Sequence, residues 1–527
     1  MDFSRKLPIG IQSFEDLRRN KYLYVDKTED VFNLVHSGKV YFLSRPRRFG
    51  KSLLISTLEA YFEGKKELFE GLSIVELEKD NPNAWKPCPV LHFDFNGQNY
   101  SVNDGLNKAI DMHLKKWEQK YDCKSDNDLN SLGPRFAKII EAAHNKTGQQ
   151  VVVLVDEYDK SLLETINSDL DENNRAVFKG LFGQLKRMDA YLQFVLFTGV
   201  TKFSKVSIFS DLNQLNDISL DSRFEKICGI TQEELEREFT SEIKSLAAKF
   251  KFTYEECLAE LKNRYDGYHF SENMTDIYNP FSLLNAFDKK KFGNYWFETG
   301  TPTFLIKKLD DINFDPRTFE ENIKASEDRL KDYRPENPDP VPLFYQSGYL
   351  TIKGFVPRQM AYMLGFPNAE VKYGFLNALA PTYLNVEDKP APFNIDLLDD
   401  AVEAGDTDGI RKWFTALFAL LPYPAGSDAE NLTEQNFQNV IFISLVVLGK
   451  YARTEVHSAK GRADCIVETD DYVYVFEFKR DVPAKKALAQ IEEQGYAKPY
   501  EADKRKLFKI GVTFSTQERN ITDWEVS

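Results

Sequence analysis

Unbroken apolar runs punctuate the first 230 residues. Val40-Tyr41-Phe42-Leu43 leads through a polar turn into LLISTLEAYF, Val151 to Val155 are apolar in succession, and YLQFVLFTG at 191–199 is a third such run. Short continuous runs that lack polar alternation predict strands covered on both faces, as in a parallel sheet between helices. From 231 to 250 the pattern becomes helical in TQEELEREFTSEIKSLAAKF. The polar, proline-rich SEDRLKDYRPENPDPVP at 326–342 marks a boundary. Beyond it, LFYQSGYLTIKGF predicts a helix end and a strand, and YMLGFPNAEVKYGFLNAL at 362–379 predicts a return to helix, an order compatible with a winged-helix-like connector. Apolar spacings of three and four across 396–422 predict two helices packed on a second sheet. The chain therefore reads as α/β in three regions: a parallel-sheet domain over 1–230, a mainly helical middle over 231–395, and a second α/β domain over 396–527.

The turn after the first apolar run carries chemistry. RPRRFGKS ends in Gly50-Lys51-Ser52 where a helix begins. A helix N-terminus offers unpaired N–H groups and the positive end of its dipole, so Gly50 can admit a phosphate, Lys51 can reach a terminal phosphate, and Ser52 can ligate Mg²⁺. The pattern G-x-x-x-x-G-K-[ST] asks for glycine where Arg45 stands, and Arg45, Arg47 and Arg48 can touch phosphate themselves. In VVVLVDEYDK the strand ends in two acids. Ligands of open α/β sheets bind at the strands' carboxyl ends, which would place Asp156 on the metal and Glu157 beside a water; the plainer reading is a pair of helix-capping acids. Thr198, at the tip of the third run, can sense a terminal phosphate or belong to an ordinary Thr-Gly turn.

A second constellation lies in GRADCIVETDDYVYVFEFKR at 461–480. Side chains alternate across a strand, so Glu477 and Lys479 share one face while Phe476 and Phe478 share the other. Across a turn at Glu468 to Asp471, Asp464 joins them. Asp464 and Glu477 are hard oxygen donors suited to Mg²⁺ or Mn²⁺, and Lys479 can position or help deprotonate an attacking water. His457 is either substrate-facing or a solvated loop histidine.

RPRRFGKS, VLVDEYDK, FTGVTKFSKVSIFS, YDGYHF and YNPFSLLNAF together resemble the AAA-ATPase-like family found in bacteria, over roughly residues 5–285. That resemblance implies a P-loop NTPase-like fold and ATP binding, and the family's loop characteristically carries arginine at the position of Arg45. G-R-A-D, twelve residues, then E-F-K resembles the core of the PD-(D/E)xK superfamily, which implies a restriction-endonuclease-like α/β domain. Through it, Gln490 in AKKALAQIEEQGYAKPY carries over as a catalytic-helix residue, and Glu434 is the candidate for a further acid from an upstream helix. Asp221 and Arg223 in LDSRF and residues 265–268 of NRYDGYHF also match family motifs, without a role that chemistry assigns.

Size and charge narrow the partners. The 527 residues can bury several cores, and 42% apolar with 13% aromatic content describes a globular protein rather than a disordered one. Cys88, Cys123, Cys228, Cys257 and Cys465 form no C-x-x-C, which suggests neither a zinc knot nor a disulfide framework and fits a cytoplasmic setting. No apolar run approaches the roughly 20 residues of a membrane span. A formal net charge of −14 argues against broad nonspecific grip on nucleic acid and leaves two local basic patches, Arg45 to Lys51 and KRDVPAKK at 479–486. The expectation is an ATP-binding and ATP-hydrolysing protein whose C-terminal domain is a Mg²⁺- or Mn²⁺-dependent nuclease gated by nucleotide state, with DNA preferred over RNA and self-association left open. The alternative is a nucleotide-switched regulatory or partner-binding protein with an inactive nuclease-like domain.

Overall fold

The computed structural model describes residues 6–123, 132–166, 168–203, 209, 212, 214–298, 323–331, 333, 339–384, 396–420, 438, 440–442, 444–445, 451–457 and 462–527. Two compact units divide the chain: Met1–Thr299 with Lys324–Glu370, and Gly300–Ile323 with Val371–Ser527.

In the first unit, β1 (Val40–Ser44), β2 (Val90–Asp94), β3 (Val151–Asp156), β4 (Leu192–Gly199) and β5 (Asn216–Asp217) form one sheet in the order β2-β3-β4-β1-β5. Every pairing is parallel. Parallel neighbours require crossovers, supplied by helices such as Lys51–Phe62, Gly105–Lys120 and Leu132–Thr147. All residues of β1 and β3 are buried, as their unbroken apolar runs demand. This order sets the carboxyl ends of β1, β3 and β4 side by side, so the turns at 45–50, 157–159 and 200–203 share one edge.

After β4 the same unit turns helical. β6 (Ile230–Thr231) pairs with β7 (Ile277–Tyr278), flanking helices Gln232–Glu238, Thr240–Phe250 and Tyr254–Tyr265. Thr231 with Glu234, and Thr253 with Glu256, form capping boxes that start two of these helices. Leu235, Ile243, Leu246, Leu261 and Leu283 close a core with helix Pro280–Lys289. Next come β8 (Ile323–Ser326), β9 (Thr351–Val356) and β10 (Ala361–Gly365), in the order β8-β10-β9. Residues 362–365, expected to be helical, are strand: Ala361 pairs with Val356 and Tyr362 with Phe355 across a turn closed by Met360 at φ 46°. Helix begins only at Ala369, beyond Pro367.

NRYDGYHF stitches these helices to that hairpin. A Cβ on Gly267, at φ +86°, would sit 2.3 Å from the Pro367 carbonyl oxygen. The His269 backbone N–H donates to Thr351 Oγ1 at 2.8 Å, and Asn368 Nδ2 donates to the Asp266 carbonyl at 2.7 Å.

The second unit holds β11 (Tyr451–His457), β12 (Arg462–Glu468), β13 (Tyr472–Arg480), β14 (Lys506–Ser515) and β15 (Asn520–Val526) in sequential order. Only β13 and β14 run parallel, joined through helix Ala484–Gln494. That helix lies close on the sheet, since a Cβ on Gly511 would meet the Ala484 carbonyl at 2.3 Å. On the opposite face, Phe418 of helix Thr407–Leu420 meets Phe514 at 5.2 Å, and the Tyr474 hydroxyl donates to the Val402 carbonyl of helix Asp396–Ala404. Both helices expected over 396–422 are thus present on this sheet. Among the described residues no helix is long and apolar enough to cross a membrane.

Candidate functional site

β1 delivers the chain into the loop at 45–50. Gly50 adopts φ +95° as the residue preceding helix Lys51–Phe62, whose N-terminus has no side-chain cap. An added Cβ at Gly50 would meet nothing within 4 Å, so the glycine serves a left-handed turn and leaves open space before the helix. Lys51 is buried, and its Nζ donates to the carbonyls of Arg45 at 2.9 Å and Pro46 at 3.0 Å. Ser52 follows it in the first helical turn.

The three arginines differ. Arg45, 1% exposed, donates to the carbonyls of Ser44 at 2.9 Å, Ser219 at 2.8 Å and Phe224 at 3.1 Å, and its guanidinium lies 4.0 Å from the Phe270 ring centroid. In this structure it braces the loop from within. Arg47 and Arg48 are exposed; the Arg47 carbonyl accepts from Trp296 Nε1 at 2.9 Å, and Arg48 stacks on Phe281 at 4.6 Å. Phe49 is held edge-on by Tyr268 at 4.8 Å and Phe270 at 5.6 Å. NRYDGYHF and the helices after it therefore grip the phosphate-type loop, a role that reading the sequence did not assign. Arg223, at the surface, pairs with Asp221.

Across the edge, Asp156 ends β3 at 3% exposure and accepts from Thr198 Oγ1 at 2.6 Å. The acid and the hydroxyl singled out at two strand tips are one hydrogen-bonded pair. Glu157 follows at φ 49°, a left-handed conformation that non-glycine residues seldom adopt. Asp159, missed in the sequence, takes the backbone N–H groups of Val200 at 3.0 Å and Thr201 at 2.6 Å on one carboxylate oxygen. Burial pushes its carboxyl up to about 6 against those bonds and the Lys51 charge. Gly199 is small for this reason, since a Cβ there would lie 2.6 Å from Asp159 Oδ1. Its one visible signal was an acid two residues beyond Glu157. An uncapped helix N-terminus, open space at Gly50, a buried lysine and an acid–threonine pair on one edge fit a Mg²⁺–nucleotide.

In the second unit, Ile466 pairs with Val475 and Cys465 with Phe476. One step further the same register sets Asp464 opposite Glu477. There the Asp464 Oδ2 accepts the Phe478 backbone N–H at 2.8 Å, so a side chain takes over from the ladder. Glu477, 1% exposed, receives Lys479 Nζ at 2.9 Å. Glu477 also lies beside Gly511, whose missing Cβ faces helix Ala484–Gln494, so the acid points to the face that this helix covers. Gln490 sits on that helix and donates to the Tyr496 hydroxyl at 3.3 Å. His457 ends β11 opposite Arg462, and Glu434 lies outside the described residues. Among the described residues no group of three or more His, Cys, Asp or Glu gathers at metal-binding range. Two carboxylates fit Mg²⁺ or Mn²⁺, which bind through one or two carboxylates and complete their shells with water and phosphate oxygens.

Comparison with known proteins agrees with both halves. A family described as Predicted AAA-ATPase matches residues 8–209, and the PD-(D/E)XK nuclease superfamily matches residues 432–524. A relative from Azotobacter chroococcum mcd 1, described as an uncharacterized protein in the vnfD 5′ region, is 36% identical over 535 residues, spanning 99% of this chain and 99% of its own.

Proposed function

The chain belongs to the AAA-ATPase-like family and carries a C-terminal PD-(D/E)XK nuclease superfamily domain, and from this we propose that it is a nucleotide-regulated, metal-dependent nuclease acting on DNA. The observation that carries the reading is the meeting of Asp464, Glu477 and Lys479 where β12 and β13 part, with Lys479 Nζ 2.9 Å from Glu477. A divalent cation on Asp464 and Glu477 would polarise the scissile phosphate and lower the pKa of a bound water. Lys479 places a positive charge beside the phosphate and orients that water, and Gln490 lines the approach from the covering helix.

The first unit binds ATP in the same proposal. Lys51 would contact the terminal phosphates, Ser52 and Asp156 would hold the Mg²⁺, Glu157 would orient water, and Thr198, bonded to Asp156, would sense the terminal phosphate. Arg47 and Arg48 are the exposed phosphate contacts, while Arg45 keeps the loop in shape. ATP turnover sets the state in which cleavage is permitted. The test is cleavage of linear, circular and single-stranded DNA with Mg²⁺ or Mn²⁺, with and without ATP, by the native chain and Lys479→Ala. Metal-dependent cutting that Lys479→Ala loses supports the nuclease; no cutting of any substrate favours the nucleotide-switched binding protein.

A further inference from the structure

Helix Thr240–Phe250 ends in Lys251 at φ 59°, and helix Pro280–Lys289 ends in Lys290 at φ 48°. A helix C-terminus carries partial negative charge, which accounts for one lysine at each end. It does not account for their surroundings. Lys249-Phe250-Lys251-Phe252 and the lysine run 289–291 followed by Phe292 bring three phenylalanines into one cluster. Phe250 and Phe292 stand 5.0 Å apart between ring centroids, Phe250 and Phe252 5.8 Å, and Phe252 and Phe292 6.4 Å.

Phe292 is the floor of this cluster, packed against the helical core with Arg264 above its ring at 5.5 Å. Phe250 and Phe252 stand above it, 37% and 38% exposed. All five lysines around them are exposed. Among the described residues the ion pairs of this region join Lys262 with Asp276 and Arg264 with Glu260, and Lys289 lies over the Tyr295 ring at 4.5 Å. On a chain with a formal net charge of −14, five exposed lysines gather around this aromatic cluster, with the exposed acids Glu255, Glu256 and Asp288 close by in sequence.

We propose that this surface is a docking platform for single-stranded DNA, with bases stacked on Phe250 and Phe252 and phosphates on the lysines of both helix ends. Alternating rings and cations are what a single strand requires: every base has a stacking face, and the backbone offers a charge between each pair of bases. A duplex keeps its faces stacked inside. An anionic membrane is served less well, because the three rings pack on one another instead of projecting freely. The choice of DNA over RNA rests on the proposed nuclease substrate; the platform itself does not depend on the hairpin site.

The test is fluorescence anisotropy of a labelled oligothymidylate of about 20 nucleotides with the full chain in EDTA, so that binding is read apart from cleavage. Phe250→Ala/Phe252→Ala should weaken binding roughly 10- to 100-fold. Lys290→Glu/Lys291→Glu should weaken it and lower the slope of log affinity against log salt by about 1 or more. The second variant changes only exposed side chains, and thermal melts of both confirm folding. Binding lost in both variants supports the platform even where no nuclease activity is found. Native affinity in both variants overturns it, as does tighter binding of oligouridylate than of oligothymidylate. Capture by phosphatidylserine vesicles without DNA binding overturns it as well.

Discussion

At the loop after β1, the charged side chains are held by the main chain; where β12 and β13 part, the main chain holds Asp464 while Glu477 and Lys479 hold each other. Lys51 rests on two carbonyls, Arg45 on three, and Asp159 on two backbone N–H groups. Glu477 instead holds Lys479 directly. A phosphate can approach the first site without breaking an ion pair, whereas a metal at the second must share Glu477 with Lys479. In the proposed reading, Lys51 would exchange two carbonyls for a phosphate, and the hairpin site would exchange one cation for another.

That contrast is sharpened most by removing a buried acid. Glu477→Gln keeps the shape but loses the metal ligand, so DNA cleavage should fall roughly 1,000-fold, about 4 kcal/mol, while the shift in melting temperature caused by ATP–Mg²⁺ stays. A second buried acid departs from the pattern within the first unit. Asp266 is 1% exposed, and burial pushes its carboxyl up to about 7, opposed only in part by the Gly267 N–H and by Lys262 at 3.8 Å. Its folded value lies above that of the unfolded chain, so the native state binds this proton more tightly and the stability lost to Asp266 is regained as pH falls from 8 toward 4. Asp266→Asn should therefore gain about 2 to 4 kcal/mol at pH 8 in denaturant titrations, with the gain gone near pH 4.

Lys51→Ala should weaken ATP binding about 100-fold by calorimetry, near 3 kcal/mol, and leave metal binding in the second unit untouched. Thr198→Val removes the hydroxyl on Asp156 without changing shape, and ATP turnover should drop about 10-fold with affinity kept. The smallest effect is the most particular to this comparison. Lys479→Met ends the competition for Glu477, so Mn²⁺ should bind a few-fold more tightly even as cleavage disappears.

Both candidate sites were legible in the sequence as groupings of residues where one element carried the signal. β1 and β3 announced themselves through apolar runs, and Lys51 and Asp156 by standing at their ends. Strand alternation alone put Glu477 and Lys479 on one face. What stayed hidden was made by distant partners. Arg45 looked like its two neighbours because Ser219, Phe224 and Phe270, which absorb it, lie more than 170 residues on. Asp159 gave no sign of its role, which depends on the two N–H groups that β4 brings to it. β10 read as helix because Tyr362, Met363 and Leu364 gain strand character only from pairing with β9. The lysine–phenylalanine cluster is hidden in the sequence since its two halves, near 250 and 291, are separate short segments until the helices bring Phe250 and Phe292 within 5.0 Å.

A metal centre between Asp464 and Glu477 is tested by Mn²⁺ binding, read by electron paramagnetic resonance without nucleotide, to the native chain, Lys51→Ala and Asp464→Asn. A site filled in the first two and lost in Asp464→Asn is the predicted result. Equal binding in Asp464→Asn would contradict a metal-dependent centre between Asp464 and Glu477.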